Sequence, residues 1–170
     1  LGLMLAHPAT KNPVAPQSAL GRIPTRCSLA IVPSHMIEEW KKEIIKFSAG
    51  GALIQHMKCV ENYTQMPSRE RMKELKLVIV SNKLFDSKEY RKGILRAKEE
   101  ETIGIGYIRA CNNYGAVTRI SNIKNYPPLE AYYWDRVFVD EVHEFCVPDG
   151  PSPLPIQNIH CRAKWGLTGT

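Results

Sequence analysis

The chain has 170 residues, of which 44% are hydrophobic, enough for one domain that builds its own core. Lys and Arg outnumber Asp and Glu by 23 to 17, a net charge of +6 that suits a polyanionic partner such as nucleic acid but is common to many unrelated domains. No apolar run approaches the ~18 residues of a membrane span, and the five scattered cysteines (Cys27, Cys59, Cys111, Cys146, Cys161) form no CxxC pair, which argues against a zinc or disulfide framework and for a reducing compartment.

Residues 1–7 read as the tail of a buried helix. The opening LGLMLAHPAT has no basic stretch and no initiating Met, so a signal peptide is not expected here, and the natural beginning of the chain is expected upstream. Residues 8–26, with prolines, Asn12 and Gly21, read as a surface loop. Ser28 to Pro33 (SLAIVP) has the continuous apolar character of a strand buried on both faces. Ser34 is placed to N-cap a helix in which Ile37, Trp40, Ile44 and Phe47 share one face while Glu38, Lys41, Lys42 and Lys46 take the others; Gly50-Gly51 should end it.

The pattern then repeats: ALIQHMKCV as a strand, PSRERMKEL as a short helix and KLVIVS (Lys76 to Ser81) as a second buried strand. Asp86 is expected to cap a helix through SKEYRKGILRAKEEE, and residues 102–130 read as an irregular insertion. RVFVD (Arg136 to Asp140) is another buried strand, followed by a proline-rich loop, a short helical stretch and AKWGLTGT, whose core reads as a strand. Strands alternating with helices predict an α/β fold with a mainly parallel sheet covered on both faces.

Ligands of such sheets gather beyond the carboxyl ends of the strands, which makes VFVDEVH the strongest local signal. Asp140 there could hold magnesium through water, Glu141 could polarise a water that attacks a γ-phosphate, and His143 could sense that chemistry. Taken alone, the same residues suit a solvated acidic turn with a helix-capping Asp. A metal-hydrolase site is disfavoured, because no second His or Cys cluster has ligand-like spacing. LTGT closes the final strand; Thr168 follows Asp140 by 28 positions, room for one crossover, so the two strand ends can be neighbours. Pro33 and Ser34, then Ser81 and Asn82, stand at two further strand ends, where a hydroxyl and free N–H groups can grip a nucleic-acid phosphate. Each also fits an ordinary βα turn.

In order, these segments resemble the Swi/Snf-type ATPases of helicase superfamily two. IVPSHMIEEWKKEI is similar to that family's strand–Pro–helix motif with a W-x-x-E signature, here Trp40 and Glu43. VIVSNKLF resembles its next motif, WDRVFVDEVHEF its DEAH-type Walker B box with Trp134, and AKWGLTGT its third motif. The resemblance implies a RecA-like three-layer sandwich: residues 1–170 as part of the N-terminal ATP-binding lobe of a DNA-dependent ATPase that moves along double-stranded DNA, in chromatin remodelling, repair or transcription. It implies ATP and Mg2+ as cofactors, a second RecA-like lobe in the same chain, nucleosomes as possible partners, no membrane, and a nuclear location, or a viral factory or the cytoplasm for a viral relative. By motif, Asp140 would position magnesium and Glu141 would act as catalytic base. His143, with Thr168, Gly169 and Thr170, would couple hydrolysis to lobe closure. Pro33, Ser34, Ser81 and Asn82 would track one DNA strand, with Trp40 and Trp165 as packing residues.

The sequence departs from the family in three places. It has no GxGKT loop, since Gly104-Ile-Gly106 lacks the Lys and the Ser or Thr; the loop is expected just before Leu1, and without it and the second lobe the chain alone should be inactive. Glu144-Phe145-Cys146 stands where the family often has Lys-Asn, which fits a divergent cellular or viral relative. The alternatives are another superfamily-two helicase, of RNA or restriction type, and a degenerate DNA-binding scaffold without catalysis.

Overall fold

A computed structural model describes residues 16, 22–48, 53–88, 90, 128–145, 156 and 159–169. The expectations for residues 1–15, the Gly50-Gly51 stop, most of the helix after Asp86, the insertion up to residue 127, the proline-rich loop and Thr170 lie outside the described residues.

The strands are β1 (Ile23–Pro24), β2 (Ser28–Val32), β3 (Met57–Val60), β4 (Leu77–Ser81), β5 (Tyr132–Val139) and β6 (His160–Gly166). They join in one six-stranded sheet of order β1-β5-β2-β4-β3, with β6 also paired to β5. Every pairing among the described residues is parallel. Val137, Phe138 and Val139 pair with β2 and with β6 at once, so those two strands flank opposite edges of β5. β5 is therefore interior, and its carboxyl end is flanked on both sides.

Alternation across the pleat divides the sheet's apolar residues between two cores. Leu29, Ile31, Val78, Val80, Val137 and Val139 face a layer containing Met72, Leu84, Phe85 and Tyr90. Ala30, Val32, Leu77, Ile79 and Phe138 face the other way, against Ile37 and Ile44 of the helix α1 (Ile37–Phe47). A parallel sheet with both faces covered is the α/β architecture expected, consistent with a RecA-like sandwich. Trp134 is wholly buried and its indole N–H donates to the Leu129 carbonyl at 2.9 Å, so the largest core side chain also satisfies its one polar group.

Several local expectations are corrected. The stretch read as a surface loop contains β1, whose Ile23 and Pro24 lie opposite Tyr132 and Tyr133. Ser34 caps nothing: it opens a 3-10 turn, Ser34–Met36, that leads straight into α1, and no side chain caps either element. Glu38 and Glu39 in the first turn of α1 and Lys46 in its last complement the helix dipole instead. Phe47, expected on the buried face, is 55% exposed, with the Lys46 ammonium 5.0 Å from its ring centroid. ALIQHMKCV is a strand only from Met57; Ile54–His56 form a 3-10 turn. The short helix α2 (Arg69–Glu74) is capped by Ser68, whose hydroxyl accepts the Arg71 N–H at 3.1 Å. After Asp86, the Ser87 hydroxyl accepts the Tyr90 N–H at 3.0 Å. β5 and β6 both begin earlier than the apolar cores of their segments, because Tyr132–Asp135 and His160–Arg162 are held by pairing and by one ion cluster: Asp135, 2% exposed, takes the Arg162 guanidinium at 2.9 Å and that of Arg136 at 3.5 Å.

Candidate functional site

The carboxyl ends of β4, β2, β5 and β6 form one row, and the chemistry-bearing residues stand along it. Asp140 leaves β5 with its N–H still bonded to the Ile31 carbonyl at 2.8 Å, so the turn starts on a rigid base. Beyond it the β5 and β6 segments stay laced together: Leu167 N–H donates to Val139 O at 2.8 Å and Val142 N–H to Leu167 O at 3.0 Å. The neighbouring strand ends expected from the 28-residue spacing of Asp140 and Thr168 are therefore present. Gly166 permits this approach, since a Cβ there would lie 3.0 Å from both Val142 methyl carbons.

Glu141 adopts a positive φ of 49°, a region that costs a non-glycine residue about 1–3 kcal/mol and tends to persist where function maintains it. Its N–H donates to Asp140 Oδ1 at 3.1 Å, which supports the turn locally. The turn brings the Glu141 carboxylate to the half-exposed rim, with Oε2 at 3.3 Å from His143 Nδ1. The same ring nitrogen is 3.3 Å from the Thr168 hydroxyl, so one imidazole edge bridges β5's box and β6's tail. Gly169 passes close by, with Glu141 Oε1 3.9 Å from the position a Cβ would take. Asp140, Glu141, His143, Thr168 and Gly169 are thus one constellation.

The four residues expected at nucleic acid divide. Ser34 and Asn82 are half-buried at the rim of β2 and β4, and the Asn82 Oδ1 has no protein partner among the described residues. Pro33 is buried, and Ser81 is 1% exposed with its hydroxyl accepting the Lys83 N–H at 3.2 Å. The Ser81 hydroxyl thus serves as a local cap to the turn that follows β4. Trp165 packs as expected, stacked on Phe138 at 5.2 Å between ring centroids.

Trp40 departs from the expectation of pure packing. Its ring rests against the α1-side core, and its indole N–H donates to Asp140 Oδ2 at 2.7 Å across 100 residues of sequence. Periodicity placed Trp40 on the inner face of its helix; nothing in the spacing showed that its polar edge would meet an acidic strand end. Away from the rim, burial pushes the thiols of Cys27, Cys59 and Cys161 up.

The fold and site together define a parallel α/β domain with paired carboxylates, an imidazole and hydroxyls at adjacent strand ends. No family model and no curated protein matches the chain.

Proposed function

We propose that this chain is part of the N-terminal RecA-like lobe of a Swi/Snf-type, DNA-stimulated ATPase that couples ATP hydrolysis to movement along double-stranded DNA. The observation that carries this reading is the constellation of Asp140, Glu141, His143 and Thr168 at the adjoining ends of β5 and β6. A solvated acidic turn would not need a left-handed Glu141, nor an imidazole shared with the next strand.

The residues fit magnesium held with a nucleotide. Among the described residues no group of three or more His, Cys, Asp and Glu could cage an ion by itself, and magnesium commonly relies on one or two carboxylates, water and substrate phosphates. Each Asp140 oxygen accepts one N–H, leaving lone pairs for a water. Bound there, magnesium would supply neutralisation of charge on the transferring phosphoryl group. Asp140 would orient water on the metal side. Glu141 would accept the proton of the attacking water, oriented for that role by His143, and Thr168 would report the state of that carboxylate to β6.

Ser34 and Asn82 would meet the phosphates of one DNA strand, and the second lobe of the same chain would close over the nucleotide. On this reading the protein would act on duplex DNA, nucleosomal or bare, in a nucleus, or in a viral factory or the cytoplasm for a viral relative. No helix among the described residues is long and apolar enough to cross a membrane.

The test uses the complete protein. Glu141→Gln should abolish DNA-stimulated ATP hydrolysis while nucleotide binding persists. Retained turnover would remove Glu141 from the role of base, and a wild-type protein that binds duplex DNA without hydrolysing ATP would establish the scaffold alternative.

A further inference from the structure

We infer that Trp40 is a positioning residue for Asp140: its indole N–H fixes the carboxylate that the proposed nucleotide site requires, tying that carboxylate to the helix that follows the nucleic-acid edge of β2. The inference rests on the nucleotide reading for its consequence and on the observed hydrogen bond for its basis.

Asp140 is held at both oxygens by groups of different origin. Oδ1 takes the N–H of the next residue, a contact any turn of this shape could make. Oδ2 takes Trp40 Nε1 at 2.7 Å, short for an N–H···O bond and in the range of charge-assisted ones. An indole is a donor only: it has no second tautomer and no titration near neutrality, so it holds an ionised carboxylate in one orientation and never competes as an acceptor. The ring is itself immobilised by the core that contains Ala30, Val32, Ile37, Ile44 and Phe138. Packing alone leaves this arrangement unexplained, because a phenyl ring in the same place would fill apolar space and leave Oδ2 without its partner. Trp40 also lies one turn into α1, directly after the Ser34–Met36 turn that carries the proposed phosphate contact. A shift of α1 on binding DNA would therefore move the donor at Asp140.

Two measurements on the complete protein test this. The indole N–H resonance of Trp40, in protein labelled at tryptophan and assigned by its loss in Trp40→Phe, should lie downfield as for a carboxylate-bonded donor and move upfield in Asp140→Ala but not in Val142→Ala. Replacement of Trp40 by benzothienylalanine, a bicycle of nearly the same shape with sulfur in place of N–H, should keep the melting temperature. It should raise the magnesium concentration for half-maximal ATP hydrolysis about tenfold, the lower end of the scale for losing an outer hydrogen bond to a metal-binding group. An indole resonance unmoved by Asp140→Ala would overturn the inference, as would wild-type magnesium dependence in the isostere. Absence of ATP hydrolysis in the wild type would defeat the nucleotide reading instead, and the hold of Trp40 on Asp140 would then be decided by the resonance alone.

Discussion

Gly166→Ala should damage the site through a single contact. The added methyl carbon would lie 3.0 Å from each Val142 methyl carbon and 3.1 Å from Val142 Cβ. Rotating the valine gives little relief: the side chain is stiff at χ1, and its Cβ stays close in every rotamer. The backbone must yield, at the place where Val142 N–H bonds Leu167 O and Leu167 N–H bonds Val139 O. Overpacking of this kind costs about 1–3 kcal/mol, and each kcal/mol lowers Tm by about 2–4 °C in a domain of this size. Val142 stands between Glu141 and His143, so turnover in the complete protein should fall with stability. The deciding assay is a double-mutant cycle by thermal or urea unfolding. If the clash is with Val142, Gly166→Ala/Val142→Ala should recover the part of the loss due to the two methyl carbons, Cβ remaining, and give a coupling energy above the ~0.5 kcal/mol expected of independent sites. Strict additivity of the two changes would refute the argument that Gly166 is required by the approach of Val142.

Ser81→Ala should cost about 0.5–2 kcal/mol by removing a cap and leave duplex-DNA affinity unchanged, whereas Ser34→Glu should weaken DNA binding, by repulsion of phosphate, in a salt titration; the reverse pattern would restore Ser81 to the interface. Burial, aided by Arg22 and Lys164, lowers the His160 pKa below its ordinary value of 6.5. The unfolded chain therefore binds a proton more readily, so the stability is fully present above about pH 6.5 and is lost as pH falls through the lower folded value. His160→Gln should flatten the fall of Tm below pH 6.5 relative to wild type; an identical slope in the two proteins would contradict this.

The fold was legible because three of its strands are apolar on both faces, a pattern that survives any detail of packing: SLAIV, LVIVS and VFV appear as buried pairs in the expected parallel sheet. The strand ends followed from them, and with them the adjacency of the strand ends that carry Asp140 and Thr168. Termini and caps were less legible. A serine before a helix looks like a cap, but the 3-10 turn that opens at Ser34 moves the helix start to Ile37, so Ser34 caps nothing. Short strands such as β1 lack the length to show a period. The Trp40–Asp140 bond and the Asp135–Arg162 pair join residues far apart in sequence, and each partner looks ordinary in its own segment.

The most direct test of the central claim is a structure of the complete protein with magnesium, ADP and beryllium fluoride, a mimic of the terminal phosphate. The account predicts the phosphate mimic facing Glu141 at the β5 carboxyl end, with the Asp140 carboxylate turned to the metal's water and Thr168 beside His143. Nucleotide bound away from this rim, or a rim left empty with Asp140 and Glu141 directed into bulk solvent, would contradict it.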